Sequence, residues 1–454
     1  MLGAALLAGS LAGAWLAAAG RDAAPGSEPS RRGDALATPV ISVRRAPGLV
    51  RDAAGAVLLE AALRAALAPH DACVRVATTP RPATVDDGRA RAPASTLKLL
   101  TAIGALTHLG AEHRFVTRAI ATAPFDDGTL RGDLVLVGGG DPVLATPEHE
   151  ADLRGLARHP TDPVTRLDAL AGALAAAGLG RVEGAVVGDD ARHDGLQVLP
   201  GWRPAYLADG DVGRLSALTV DDAGAGRAPV DDPAIHAADE LRRLLALRGV
   251  VVTGGATRGS APEHSVELAR VESPPLSEIV AGMLTSSDNQ SAELLAREIA
   301  IAAGREPTTD AGTQVVRETV AALGIDAGDL LLLDGSGLTP DSRVTCGALV
   351  AVVERALDDP SLAPVVAGLP VAGRSGTLAT RFSGDPLEGR LRAKTGQLAD
   401  VVALAGVLDD PEPVPFALLV AGSFSVEGGR DLQASVAALV DAFPAVGGDL
   451  VPPP

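Results

Sequence analysis

The sequence predicts an α+β fold in which helices pack on an antiparallel sheet, and in which a second α+β module interrupts the sheet domain. Near the C-terminus, residues 389–408 and 415–424 have the composition of strands and flank the turn sequence DDPEPV. Residues 54–67 and 431–443 read as helices. Between 117 and 267 the pattern changes to short Val/Leu strands separated by Gly-Asp turns, which indicates an inserted module.

The remaining elements follow in chain order. The helix at 54–67 precedes a strand at 73–78 and a helix that starts near Ser95. The module contains helical stretches at 165–180 and 237–249, and helices return after it, interrupted at TSSDNQ. We therefore divide the chain into a linker at 26–50, a first domain part at 51–116, the inserted module at 117–267, a second domain part at 268–448 and a tail at 449–454.

The N-terminus predicts export. Residues 2–20 form an uncharged apolar run, followed by a Pro/Ser/Arg stretch, so residues 1–25 are interpreted as a signal peptide or an N-terminal anchor. A buried helix is the alternative, and no basic residue precedes the run as a signal peptide should have. Cleavage and retention both stay open. The expected location is the periplasm or cell envelope, with membrane association if the segment is retained.

Composition excludes several classes of partner. A net charge of -18 over 454 residues argues against nucleic acid, whose phosphates favour basic surfaces. The eight histidines are scattered and no Cys/His spacing suits zinc, so no metal or other cofactor is expected. Cys73 and Cys346 fit either a disulfide of an exported protein or two buried thiols.

Lysine scarcity identifies the first chemical motif. Only Lys98 and Lys394 are lysines, whereas the other 37 of the 39 basic residues are arginine. Lys98 lies in the apolar stretch APASTLKLLT, where desolvation favours the neutral amine that can act as a base. Ser95, three residues earlier, shares its helix face and would be the nucleophile that this base activates. A capping serine followed by a snorkelling lysine is the structural alternative.

Two further short motifs contain the scarce residues. Asn289, the only asparagine, lies in Ser287-Asp288-Asn289, a tripeptide that could also simply cap the following helix. Lys394-Thr395-Gly396 lies on a predicted strand, where the lysine and hydroxyl would suit a substrate carboxylate and the glycine a close ligand approach. A solvated lysine at a sheet edge is the alternative for that motif.

Together, the order Ser-x-x-Lys, Ser-x-Asn, Lys-Thr-Gly resembles the motif set of penicillin-binding proteins and serine β-lactamases. The chain is similar to the DacB-type D-alanyl-D-alanine carboxypeptidases/endopeptidases, class C low-molecular-mass penicillin-binding proteins. The 191 residues between Ser95 and Ser287 match a transpeptidase-like domain split by an insertion. The resemblance extends from about 55 to 445 through PASTLKLLTA, GDLVLVGGGDPVL, MLTSSDNQSAELL, LDGSGLTPDSRVT, LPVAGRSGTLATRF and RAKTG.

The resemblance implies a serine DD-peptidase that acts on peptidoglycan stem peptides through an acyl-enzyme and is inhibited by β-lactams. It implies Ser95 as the nucleophile and Lys98 as the favoured general base. Ser287 would relay a proton to the leaving amine, and Asn289 would orient Lys98 and the substrate amide.

The resemblance also implies how the substrate is bound. Lys394 and Thr395 would bind the terminal carboxylate, next to Gly396, and the N–H groups of Ser95 and Gln397 would form the oxyanion hole. The chain departs from the family at Gln397, where a hydroxyl residue is usual, and in SALTVDDAGAG, which lacks an expected asparagine.

Two other functions are compatible with parts of this pattern. A class A β-lactamase needs a deacylating glutamate in a loop closed by an asparagine, and the only asparagine is already at 289. A catalytically silent module that binds or senses peptidoglycan is the non-enzymatic alternative. The intact Ser95, Lys98, Ser287 and Lys394 argue against it.

Overall fold

The computed structural model describes residues 47–156, 159, 161–225, 228–410 and 412–444. The predicted signal or anchor, most of the linker and the tail at 449–454 lie outside these residues. None of the helices within the described ranges combines the length and the hydropathy that a membrane crossing requires.

The helices are α1 Pro47–Leu67, α2 Lys98–Leu109, α3 Pro147–Arg154, α4 Leu167–Ala176, α5 Ala205–Ala208, α6 Pro233–Ala246, α7 Leu276–Gly282, α8 Asn289–Ala302, α9 Thr309–Ala322, α10 Cys346–Asp358, α11 Ala363–Ala367 and α12 Val426–Asp441. The strands are β1 Asp71–Val76, β2 Ala83–Val85, β3 Val116–Ala121, β4 Phe125–Asp126, β5 Thr129–Leu130, β6 Leu134–Val137, β7 Leu144–Ala145, β8 Thr165–Arg166, β9 Arg181–Val182, β10 Val186–Asp189, β11 Gly224–Ala225, β12 Ala228–Pro229, β13 Val251–Val252, β14 Ala256–Arg258, β15 Val266–Glu272, β16 Leu391–Leu398, β17 Val401–Asp410 and β18 Glu412–Ala421.

A five-stranded antiparallel sheet in the order β16-β17-β18-β1-β2 organises the main domain. Successive strand residues point to opposite faces, so Leu418 and Leu419 enter different cores. Leu419 packs in a cluster that includes Leu99 of α2, whereas Leu418 packs in a cluster that includes Val436 of α12. Because both faces are covered by helices, β18 is a continuous apolar run rather than an alternating one. The predicted antiparallel sheet flanked by helices is confirmed.

A disulfide joins Cys73 of β1 to Cys346 at the start of α10. Of the two states that the sequence left open, the structure contains the cross-link. It connects residues 273 positions apart, so it attaches α10 to the sheet across most of the chain.

Replacing both Cys73 and Cys346 by alanine is expected to lower the free energy of unfolding by about 3 kcal/mol, because the cross-link restricts the unfolded chain. Denaturant unfolding of the oxidised parent and the variant would measure the loss. Adding a reductant should lower the stability of the parent and leave that of the variant unchanged. Equal stabilities of the parent and the variant would contradict this prediction.

The inserted module is built on a second sheet in the order β14-β10-β6-β3-β15. Its entry and exit strands pair antiparallel, from Val116 opposite Glu272 to Ala121 opposite Val266. The sheet therefore begins one residue before, and ends five residues after, the boundaries predicted at 117 and 267. Apolar residues of α4 and α6 pack against this sheet in a core of their own.

One segment of the module packs on the main domain rather than on the module's sheet. Trp202, Tyr206 and Leu215 form a small core with Leu294 of α8 and Leu338. The hydroxyl of Tyr206 donates a hydrogen bond of 3.2 Å to the carbonyl of Leu338. This segment brings the module to the edge of the large cavity described below.

A buried carboxylate also fastens the module to α8. Glu298 accepts bidentate hydrogen bonds of 2.8 and 2.6 Å from Arg192, and a third of 2.8 Å joins it to His193. Burial alone would raise the pKa of Glu298, but these bonds outweigh it and hold the pKa below the ordinary value. Gly140, with φ of +78°, is required here because a Cβ would lie 1.9 Å from the Glu298 carboxylate.

We expect Glu298→Gln to lower the free energy of unfolding by about 3 kcal/mol, because it breaks a buried charge pair. A depressed carboxyl pKa means that the stabilisation is present above the ordinary glutamate pKa of 4.5 and is lost as pH falls through the folded-state value. Thermal unfolding at pH 7 and pH 3.5 should therefore show a smaller difference between variant and parent at the acidic pH. A pH-independent difference would contradict this assignment.

Candidate active site

A cavity of about 640 Å³ lies where the edge of the main sheet, the start of α2, the start of α8 and the module meet. Five of the eight predicted site residues line it: Ser95, Ser287, Asn289, Thr395 and Gln397. The other three, Lys98, Lys394 and Gly396, lie directly behind this wall and are buried. The structure thus brings together residues that are up to 302 positions apart in the sequence.

Ser95 lies in a tight turn rather than in the helix predicted to start there. A 3₁₀ turn at Ala94–Leu97 precedes α2, which begins at Lys98. Ala94 has φ of +45°, a left-handed conformation that costs a non-glycine residue about 1–3 kcal/mol. Gly337 helps to hold it, since a Cβ there would lie 1.9 Å from the Ala94 carbonyl oxygen. Packing around this turn aims the Ser95 hydroxyl into the cavity.

Lys98 is fully buried and its amine contacts three oxygens. The Nζ atom lies 3.1 Å from Ser95 Oγ, 2.6 Å from Asn289 Oδ1 and 2.8 Å from the Ser336 carbonyl oxygen. A neutral amine that donates its two hydrogens to the amide and the carbonyl oxygen directs its lone pair to the serine hydroxyl. This arrangement suits proton abstraction from Ser95.

The second motif stands at the junction of two helices. A π-helical turn at Met283–Ser287 ends with Ser287 at φ of +67°, and such turns occur often at functional sites. Asp288 then caps α8 by accepting the N–H groups of Gln290 and Ser291. Burial, reinforced by the charge of Asp222, raises the pKa of Asp288 to about 6. The capping alternative therefore holds for Asp288, while Ser287 and Asn289 face the cavity.

Asn289 links α8 to the module as well as to Lys98. Its Nδ2 donates a hydrogen bond of 2.7 Å to the carbonyl of Asp211, on the module segment that borders the cavity. The sequence assigned this amide to Lys98 and to the substrate. In the structure one end orients Lys98 and the other contacts the module.

Lys394 is turned towards Ser287 rather than into open solvent. Its Nζ lies 2.8 Å from Ser287 Oγ and 2.8 Å from the carbonyl oxygen of Thr395, and the side chain is fully buried. The alternative of a solvated edge lysine is excluded by this burial. Thr395 faces the cavity, where its hydroxyl lies 2.8 Å from that of Thr377.

The strand that carries the third motif, β16, is the outermost strand of the sheet. Gly396 allows the turn at Ala94–Leu97 to lie against it, because a Cβ there would meet the Pro93 carbonyl oxygen at 3.0 Å and Ala94 Cβ at 3.1 Å. Gln397 follows with an exposed side chain. An edge strand such as β16 can pair with an extended peptide.

A buried acidic pair supports the carbonyl that contacts Lys98. The carboxylate of Glu293 accepts the N–H groups of Gly335 and Ser336 at 3.1 and 2.8 Å, while Asp334 accepts those of Gly337 and Thr339. Burial, with the charge of Asp334 adding to it, raises the pKa of Glu293 to about 7. These bonds fix the loop whose Ser336 carbonyl oxygen points at Lys98.

Sequence reasoning did not assign a role to Ser336, Asp211, Thr377 or Arg381, all of which border or support the site. Ser336 lies in LDGSGLTPDSRVT, and both Thr377 and Arg381 lie in LPVAGRSGTLATRF. The resemblance included both stretches without giving their residues a function. Asp211 accepts the Asn289 hydrogen bond through its backbone carbonyl, a contact for which its side chain gives no signal.

The sequence matches the profile of the D-Ala-D-Ala carboxypeptidase 3 (S13) family over residues 72–228 and 224–443. A carboxypeptidase of Mycobacterium tuberculosis is 35% identical over 331 residues, 70% of this chain and 68% of that protein. A D-alanyl-D-alanine carboxypeptidase of Actinomadura sp. is 31% identical over 408 residues, 72% of each chain.

Solved structures share the fold. Penicillin-binding protein 4 (DacB) of Haemophilus influenzae superposes with a TM-score of 0.68 at 22% identity, covering 82% of this chain and 98% of that one. A second structure of the same protein, complexed with a β-lactam, has a TM-score of 0.61 and covers 83% and 98%. Fold, profile and relatives agree, and the chain belongs to the D-Ala-D-Ala carboxypeptidase 3 (S13) family.

Proposed function

We propose that the protein cleaves D-alanyl-D-alanine peptides with Ser95 as nucleophile and Lys98 as general base. One observation carries these roles. The buried Lys98 amine lies 3.1 Å from Ser95 Oγ, while Asn289 Oδ1 and the Ser336 carbonyl oxygen bind its hydrogens. A serine hydroxyl needs such a neighbouring base to become nucleophilic.

In the proposed reaction, Ser95 Oγ attacks the carbonyl carbon of the penultimate D-alanine and its proton passes to Lys98. The N–H groups of Ser95 and Gln397 stabilise the oxyanion, and each such donor contributes about 3 kcal/mol to transition-state stabilisation. The C–N bond then breaks, and Ser287 passes a proton to the leaving amine. Water hydrolyses the ester and regenerates the serine.

The contacts of Lys394 favour a role in proton relay, because its ammonium donates to Ser287 Oγ. We assign the substrate carboxylate to the Thr395 and Thr377 hydroxyls, with Lys394 supplying charge from behind them. Arg381 adds positive charge to the same cavity, and among the described residues it donates only to Gln433 Oε1 and a backbone carbonyl. Burial lowers the pKa of Arg381 to about 10, so it is still a cation at neutral pH.

The substrates we propose are peptidoglycan stem peptides that end in D-Ala-D-Ala, and β-lactams would acylate the same serine. The names of the relatives and the β-lactam complex of the Haemophilus protein support this assignment. Action on peptidoglycan places the protein in the cell envelope. Export through residues 1–25, with either cleavage or retention as an anchor, completes the proposal.

Peptide mapping of the penicillin-treated protein tests the assignment. We expect one adduct, on the peptide that contains Ser95, and release of D-alanine from a synthetic peptide ending in D-Ala-D-Ala. Mass analysis of digested muropeptides would then separate carboxypeptidase from endopeptidase activity. An adduct on another serine would contradict the nucleophile, and neither adduct nor D-alanine would favour a binding module without turnover.

A further inference from the structure

A second cavity, of about 480 Å³, lies where the segment that leads into β3 meets the sheet of the inserted module, and it shares no lining residue with the first. Its floor is the face of β3 and β15 that carries Arg118 and Arg270, and its walls include His113, Arg114 and Arg192. We call this cavity the arginine pocket. It concentrates four arginines in a chain whose net charge is -18.

Two of these arginines oppose each other in a way that costs stability. Arg118 on β3 is paired directly with Arg270 on β15, and both side chains are exposed. Like charges at directly opposite positions of antiparallel strands are destabilising. Nothing in the packing of the sheet requires a cation at 118, because the neighbouring Thr117 and Ala119 provide the buried face. A protein can retain such a repulsion between two arginines where an anionic ligand binds between them and offsets it.

The arginines differ in how far they are already neutralised. Arg192 is held bidentately by Glu298, and Arg270 donates through Nε to Glu267 at 2.6 Å. Arg118 has no ion-pair partner within the described part of the chain, and Arg114 donates there only to a backbone carbonyl. The terminal nitrogens of Arg270 and the whole guanidinium of Arg118 are therefore available to an anion.

The acidic residue at the base of the pocket does not compete for these groups. Asp189 accepts the N–H groups of Ala191 and Ala261 at 3.0 and 2.7 Å and is nearly buried. Glu267 occupies only the Nε side of Arg270. Planar guanidinium groups bind carboxylates and phosphates bidentately, so the pocket suits one anionic group.

The position of the pocket relates it to the candidate active site through α8. Asn289, the first residue of α8, borders the first cavity, and Glu298, nine residues later, holds Arg192 of the second. At 1.5 Å per residue the two points are roughly 14 Å apart along the helix. Nine residues are about 2.5 helical turns, so the two side chains leave opposite sides of α8, and two peptide stems rather than one short peptide would occupy the two cavities.

We propose that the arginine pocket binds a free carboxylate of a peptidoglycan stem peptide while another stem occupies the catalytic cavity. This inference rests on the proposed function. A single peptide carboxylate fits better than a phosphate polymer, since a polyanion requires a basic stripe, whereas here the basic groups are confined to one pocket on an acidic protein. Engagement of two stems would increase the affinity for polymeric substrate.

Binding is best measured with Ser95→Ala protein, so that no substrate is consumed, on purified sacculi from which phosphate polymers have been removed. We expect Arg118→Gln and Arg270→Gln each to weaken cosedimentation roughly tenfold, since each removes a charged hydrogen bond. Arg181→Gln is the matched control, because Arg181 is an exposed arginine of the same module outside the pocket. That control should bind like the parent, and amidation of the sacculus carboxylates should weaken the parent.

The proposal is overturned if the double variant Arg118→Gln/Arg270→Gln binds as tightly as the parent. It is also overturned if amidated sacculi bind unchanged, or if binding disappears with the phosphate polymers. The melting temperature of the double variant should stay close to that of the parent, because the loss of the exposed Arg270–Glu267 ion pair costs little and a like-charge pair is removed with it, so weakened binding would not reflect unfolding.

Activity separates this proposal from the proposed function. With Ser95 intact, the double variant should release D-alanine from a short soluble peptide at the parental rate but show a raised KM on sacculi. If the parent released no D-alanine from the short peptide, the proposed function would be refuted. The binding experiment would still test the pocket. An unchanged KM on sacculi would count against the pocket alone.

Discussion

Ser95→Ala is expected to abolish penicillin labelling and to lower the rate of D-alanine release by about 10⁶-fold, the loss typical when the nucleophile of a serine hydrolase is removed. The reason is chemical. Without Oγ no acyl-enzyme forms, and the Lys98 amine has no hydroxyl to deprotonate. Labelling with a fluorescent penicillin and chromatographic measurement of D-alanine would follow both reactions.

Alanine is smaller than serine and fits the turn at position 95, so the Ser95→Ala variant should fold like the parent. Ser361→Ala, at an exposed serine in a 3₁₀ turn remote from both cavities, is the matched control and should keep the parental rate. Release of D-alanine by Ser95→Ala at the parental rate would show that another residue is the nucleophile.

Lys98→Arg is expected to lower the acylation rate by about 10²–10⁴-fold, the usual contribution of a general base. Arginine keeps the positive charge but stays protonated, so it cannot accept the proton of Ser95. Burst kinetics with a chromogenic β-lactam would measure the acylation step separately from deacylation.

The larger arginine could also disturb the buried site, so Lys98→Met is needed as a second variant. Methionine has nearly the same length without a basic nitrogen, and it should lose acylation to a similar extent while the circular dichroism spectrum stays that of the parent. Parental acylation by either variant would exclude Lys98 as the base.

At Lys394, by contrast, we expect the Lys394→Arg variant to retain part of the activity, because the main requirement there is a positive charge near Ser287.

The main sheet and its flanking helices could be predicted because their signals are local. Strands β17 and β18 are apolar except at the hairpin end, where they carry Asp409, Asp410 and Glu412, and the helices at 54–67 and 431–443 are amphipathic or apolar. The ends of the helices were harder to predict from the sequence. Helix α1 begins at Pro47, inside the predicted linker, and α2 begins only at Lys98. The left-handed conformation of Ala94, which displaces that start, depends on packing against Gly337, far away in the chain.

The candidate site shows the same difference between local sequence signals, which could be predicted, and contacts between distant residues, which could not. The three motifs stand out in the sequence because their side chains are chemically unusual in this composition. The contribution of Ser336 and Asp211 could not be predicted, since both act through carbonyl oxygens that any residue possesses. The inward orientation of Lys394 was equally inaccessible, because alternation along a strand says which residues share a face and not which face is covered.

The attachment of the module to α8 has a consequence for how this protein can be shortened or recombined. Asn289 contacts the carbonyl of Asp211, and Glu298 on the same helix holds Arg192 and His193. Excising the module would remove all three partners, and it would leave the Glu298 carboxylate exposed and the Asn289 amide that contacts Lys98 unsupported. The module therefore cannot be removed without disturbing α8, and chimeras made with homologous proteins should exchange α8 and the module together.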